Sequence, residues 1–99
     1  MLKFALIGCG RIAKRHSELL GYGEIDSAKL VAVCDTAYSK ALDIGKKFNI
    51  PAYKDMDEMM QNEAIDVAVV LTQSGLHAEN VINLAKYKKH IMVEKPMAL

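Results

Sequence analysis

Residues 8–13 read Gly8-Cys9-Gly10-Arg11-Ile12-Ala13 and match the spacing G-x-G-x-x-[G/A]. Each small residue has a physical use at its place. Gly8 permits a tight turn, Gly10 lets a pyrophosphate approach the backbone without meeting a Cβ, and Ala13 keeps a following helix close to its sheet. A helix opening at Arg11 and Ile12 turns free N–H groups and its positive end toward the phosphates. The pattern by itself is weak, because an ordinary glycine-rich turn has the same letters. Its place between a predicted strand and a predicted helix is what gives it weight.

Asp35 is the second such residue, about twenty residues further on at the end of the next apolar run. A carboxylate there can accept both hydroxyls of an adenosine ribose and repel a 2′-phosphate. The competing reading is a solvated turn aspartate at the start of a helix. Thr36, Ala37 and Tyr38 follow, with no arginine or lysine to receive a phosphate, and Lys40 is the nearest base. These residues predict NAD in preference to NADP. Glu94 and Lys95 form a third group, just past the end of a later apolar run, where open α/β sheets place their ligands.

The elements that would hold these residues alternate along the whole chain. Leu2 to Ile7 suits a short buried strand, and Arg11 to Leu20 suits a helix stopped by Gly21 and Gly23. Leu30 to Cys34 is a continuous apolar run of the kind that parallel sheets bury on both faces. Ser39 to Phe48 reads as a helix with Ala41, Leu42, Ile44 and Phe48 inward, ended at Asn49-Ile50-Pro51. Ala52-Tyr53 can be only a short strand. Asp55 or Asp57 would cap a helix over Met59 and Met60. Asp66 to Leu71 is a strand, Leu76 to Tyr87 a helix with Val81, Ile82, Leu84 and Ala85 inward, and His90 to Val93 the last strand.

Alternation of this kind predicts βαβ units and a parallel sheet. Right-handed crossovers give a doubly wound, Rossmann-like α/β half with strand order 3-2-1-4-5. Residues 1–99 read as one dinucleotide-binding domain, and the stop just after the fifth strand reads as a truncation before a substrate domain.

Bulk composition excludes several classes. The hydrophobic fraction is 52 %, enough for a core, and the net charge is +1, which argues against a nucleic-acid or polybasic membrane surface. No apolar run approaches the roughly eighteen residues of a spanning helix. Cys9 and Cys34 sit in apolar runs and read as free buried thiols, which suits a reducing compartment and places the protein in the cytoplasm. The three methionines Met56, Met59 and Met60 read as core filler. Lys86, Lys88 and Lys89 read as cations at a helix end. His16, His77 and His90 stand too far apart for a metal site.

Thr72-Gln73-Ser74-Gly75-Leu76-His77 and Glu94-Lys95-Pro96, taken with Gly8-Cys9-Gly10 and His16, make the chain resemble the Gfo/Idh/MocA oxidoreductases over its whole length. That resemblance implies a sugar, nucleotide-sugar or cyclitol dehydrogenase with a second, mainly antiparallel α+β domain carrying much of the substrate site. Within the family the chain looks most similar to nucleotide-sugar 3-dehydrogenases of surface-polysaccharide synthesis. The turn after the fourth strand usually reads Thr-Pro-Asn in the family. Thr72 and His77 match it, while Gln73 and Ser74 replace the other two.

The resemblance implies that Thr72 and Ser74 contact the cofactor and that His77 lies near the nicotinamide end. It also implies that Glu94 approaches the nicotinamide ribose and that Lys95 hydrogen-bonds the reacting hydroxyl and assists proton transfer. A lysine crowded by apolar walls and a cationic nicotinamide has its pKa pushed down toward a useful range. The expected partners are a small sugar or nucleotide-sugar substrate and a second copy of the chain, with no nucleic acid and no membrane. Two rivals remain open: an NAD-sensing module without chemistry, for which Lys95 has no use, and a related cyclitol or biliverdin-reductase-like oxidoreductase.

Overall fold

The computed structural model describes residues 2–8, 27–71 and 81–93. Five strands form one parallel sheet: β1 (Leu2–Ile7), β2 (Ala28–Cys34), β3 (Ala52–Tyr53), β4 (Val67–Val70) and β5 (His90–Val93). Their order is β3-β2-β1-β4-β5, as the alternation of elements predicts. Helix α1 (Tyr38–Phe48) joins β2 to β3, and α2 (Met56–Asn62) joins β3 to β4. Residues 81–85 are helical and precede β5.

A bulge sets the faces of the sheet. Phe4 pairs with Leu30 but Ala5 pairs with Ala32, so Val31 is the extra residue. Beyond it, Ala5, Ala32 and Ala68 lie side by side, and Ile7, Cys34 and Val70 form the next row on the same face. Met59, Met60 and Leu84 pack on those rows. Small alanines under large methionines let the covering helix approach closely, the interlock that dense cores require. On the opposite face Leu6, Val33, Val67 and Val69 meet Ala41, Ile44 and Phe48 of α1. Leu6 and Val33 are fully buried, and each such side chain stabilises the fold by about 1.5–3 kcal/mol relative to exposure.

Where the sequence expectations and the structure differ, local chemistry gives the reason. β2 begins two residues early, at Ala28, because Ala28 pairs with Leu2 and the intervening Lys29 is exposed. β4 is bounded at Val67 and Val70, yet its ladder runs one residue further each way. The Asp66 N–H donates to the Lys3 carbonyl at 2.8 Å and the Leu71 N–H to the Ile7 carbonyl at 2.7 Å.

α1 ends at Asn49, whose φ of 56° and ψ of 49° make it a left-handed cap, and the Ile50 N–H donates to the Gly45 carbonyl at 2.9 Å. Pro51 only follows a stop that Asn49 has already made. α2 is capped by Asp55, whose carboxylate accepts from the Asp57 N–H at 3.2 Å.

The inward face expected of the last helix needs correction. Leu84 is fully buried, but Ile82 is 72 % exposed, Ala85 is exposed and Val81 is half-buried. A single turn near the helix end points one residue at the sheet, and Ile82, two positions away, projects to the other side.

Candidate functional site

The carboxyl ends of β1, β2 and β3 are stitched together just beyond the strands. The Gly8 N–H donates to the Cys34 carbonyl at 2.8 Å, and the Asp35 N–H donates to the Tyr53 carbonyl at 3.0 Å. Each bond continues a ladder by one residue, so Gly8 and Asp35 leave the sheet side by side. β1 and β4 are neighbours although they are not consecutive, which marks the switch point where open α/β sheets bind ligands.

Gly8 is buried and has a φ of 99°, a conformation that side-chain-bearing residues rarely adopt. The first glycine of the turn is therefore a backbone requirement. Asp35 is half-buried, and its Oδ1 accepts the Ala37 N–H at 2.8 Å. This is the short loop bond that aspartates make to the residue two ahead, so the turn-aspartate reading describes its backbone setting. The same bond fixes where the carboxylate stands.

Gly8 and Asp35 line one cleft of about 210 Å³, together with Ile7, Cys34, Thr36, Lys54, Asp55, Met56, Asp57 and Asn83. The buried Cys34 thiol lies against this cleft. Burial pushes it up to about 12, helped by the carboxylates of Asp35 and Asp55. A thiol held protonated in this way is no nucleophile at neutral pH. The carboxylates that raise it give the cleft a negative field, which suits uncharged hydroxyls better than a further phosphate.

Asp57 is bound on its outer side. Its Oδ1 accepts the Tyr87 hydroxyl at 2.7 Å and meets the Lys86 ammonium at 3.0 Å. The Tyr87 hydrogen bond, then Lys86, holds its carboxyl below the usual range. Lys86 is thus an ion-pair partner that ties α2 to the chain before β5, beyond the helix-end role its position suggests.

Of the residues that the sequence singles out, the structure brings Gly8 and Asp35 together. Gly10, Arg11, Ile12, Thr72, Ser74, His77, Glu94 and Lys95 lie outside the described residues, as do Cys9 and His16. Lys54, Asp55, Asp57 and Asn83 also line the cleft, and sequence reasoning gave none of them a ligand role. Its position after a parallel strand puts Lys54 at the carboxyl edge of the sheet, but only the pairing of β2 with β3 sets it beside Asp35. Met59 and Met60 are buried core residues. Among the described residues no three metal-ligating side chains cluster, and no helix is long and apolar enough to cross a membrane.

The positive-φ glycine and the neighbouring carboxylate fit the backbone turn and ribose contact of a dinucleotide. Comparison with known proteins gives the family. The family model of the GFO/IDH/MocA oxidoreductases, their NAD-binding Rossmann fold, matches residues 2–99. The chain is 35 % identical to myo-inositol 2-dehydrogenase of Thermotoga maritima, over 99 % of the chain and 29 % of that protein. It is 33 % identical to the WlbA dehydrogenase of Bordetella pertussis, solved with NADH and UDP-GlcNAcA, at a TM-score of 0.87, covering 98 % of this chain and 30 % of that one. Scyllo-inositol dehydrogenase of Lactobacillus casei, solved with NAD(H) and scyllo-inositol, gives a TM-score of 0.87 at 27 % identity, over the whole chain and 29 % of that protein. The chain thus spans about three-tenths of the length of these relatives.

Proposed function

The chain belongs to the GFO/IDH/MocA oxidoreductases, as their NAD-binding Rossmann domain, and from that premise we propose that it serves an NAD-preferring dehydrogenase acting on a secondary hydroxyl of a cyclitol, sugar or nucleotide sugar. The observation that carries this reading is the pairing of Gly8 and Asp35 at one cleft on the carboxyl edge of the sheet. Asp35 accepts the ribose hydroxyls, and the positive φ of Gly8 clears the turn over which the pyrophosphate lies. Gly10, Arg11 and Ile12 supply the backbone N–H groups of that turn.

NAD, when bound, supplies the hydride acceptor. The chain's own part is to orient the alcohol and take its proton. Lys95 accepts the hydroxyl proton on a neutral amine as the carbon gives up hydride, and Glu94, Thr72, Ser74 and His77 position the nicotinamide end. Of the three relatives named above, two are inositol dehydrogenases and one was solved with a nucleotide sugar. We place the substrate walls, and any contact between two copies, outside the residues matched here.

The test is a substrate panel on the full-length protein carrying this chain. Myo-inositol, scyllo-inositol and UDP-N-acetylglucosaminuronate are each offered with NAD, and NADH formation is followed. Reduction of NAD with a member of the panel is the expected result. Tight NADH binding with no turnover on any polyol or nucleotide sugar would contradict the dehydrogenase reading.

A further inference from the structure

The cleft that holds Asp35 also holds a cation, Lys54. Cys34 and Tyr53 are register partners of β2 and β3, so Asp35 and Lys54 are the residues at which two adjacent strands leave the sheet. Adjacent strands run about 4.8 Å apart, and the Asp35 N–H bond to the Tyr53 carbonyl maintains that spacing beyond the strand ends. Two further carboxylates among the described lining residues have contacts of their own. Asp57 is held by Lys86 and Tyr87, and the Asp55 carboxylate caps α2. Lys54 is exposed at the rim, and among the described residues lining the cleft it is the one basic side chain.

The geometry points to Lys54 as a specificity-determining residue opposite Asp35, a resident cation that receives the 2′-phosphate of NADP(H) once the Asp35 carboxylate is removed. The inference rests on the proposed nucleotide-binding role of the cleft. In the native protein the Lys54 ammonium lies in the same cleft as the carboxylates of Asp35 and Asp55. Asp35 excludes a phosphate from the ribose corner despite that cation. Cofactor choice is then a balance between two side chains at neighbouring strand ends. Loss of the acid should shift the preference toward NADP(H) and not merely weaken binding.

Asp35→Ser is the suitable background, because a serine hydroxyl can still accept the Ala37 N–H and keep the turn. NADH and NADPH affinities are measured by fluorescence titration for the wild type, Asp35→Ser and Asp35→Ser with Lys54→Gln or Lys54→Arg. In the serine background, Lys54→Gln should weaken NADPH about five- to tenfold, on the scale of a charge-assisted phosphate contact. NADH should stay within about twofold, Lys54→Arg should retain NADPH, and the difference should shrink with added salt.

An unchanged NADPH affinity, or an equal loss for both nucleotides, overturns the assignment of Lys54. If the wild type still binds NADH, the proposed function survives that result. A wild type that binds neither nucleotide overturns both. Should Asp35→Ser lose its circular-dichroism signature, 2′,5′-ADP and 5′-AMP are compared in Asp35→Asn, whose amide oxygen can still accept the Ala37 N–H. There Lys54→Gln must weaken 2′,5′-ADP alone, and any other pattern refutes the assignment.

Discussion

The backbone N–H of Gly8 donates to the carbonyl of Cys34 at 2.8 Å, so the first glycine of the glycine-rich turn is anchored to the strand end that carries Asp35. Turn and carboxylate are not independent features. The same ladder that builds the sheet sets their separation, and a change in one strand end moves the other.

Gly8→Ala tests that anchor. A φ of 99° is strained for alanine, and such strain costs about 1–3 kcal/mol. The variant should unfold at lower urea and bind NADH more weakly, because the turn relaxes away from the ladder. Unchanged urea unfolding would contradict the backbone conformation assigned to Gly8.

Gly45→Ala separates helix propensity from packing. Alanine would add up to about 1 kcal/mol to a helix interior. A Cβ at Gly45, however, would stand 2.8 Å from the Ile50 carbonyl oxygen and 3.1 Å from the Ala52 Cβ. The first contact is backbone and cannot swing aside, and overpacking of this kind costs about 1–3 kcal/mol. Packing outweighs propensity, and the variant should be less stable by urea titration. A more stable variant would show that α1 can lift from β3 without cost.

Alkaline pH tests the link between β3 and the end of α2. The Tyr53 hydroxyl donates to Glu63, and that hydrogen bond, with desolvation, pushes the phenol up to about 12 from 10.0. A raised folded pKa means that the stabilisation is present below pH 10 and is lost as pH rises toward 12. Stability should fall over that window, and Tyr53→Phe should flatten the fall. A phenolate absorbance titration that assigns Tyr53 an ordinary midpoint would contradict the bond.

Much of this architecture is legible in the sequence because parallel strands read as apolar runs. Leu2 to Ile7 and His90 to Val93 could be bounded from composition alone, and Asp66 to Leu71 differs from β4 only at its terminal residues. Ile82 reads as inward because it stands among Val81, Leu84 and Ala85, yet four clustered apolar residues span more than one face of a helix, and only Leu84 is fully buried. The left-handed cap at Asn49 was hidden behind the louder signal of Pro51. At the site, Gly8 and Asp35 are visible because their spacing is local to one βαβ unit. Lys54 is not, since only the pairing of β2 with β3 brings it beside Asp35.

Lys95→Ala in the full-length protein should lower turnover far more than NADH affinity. A general acid–base contribution is about 10²–10⁴-fold. Steady-state kinetics paired with NADH titration separates the roles. Equal losses in both would make Lys95 a cofactor-binding residue, and no change in either would make it a surface lysine.

The central claim, that Asp35 selects NAD(H) at this cleft, is tested most directly by titrating the wild-type protein with NADH and NADPH at one ionic strength. NADH should bind at least about tenfold more tightly, a difference of about 1.4 kcal/mol. NADPH binding as tightly as NADH, or more tightly, would contradict the account.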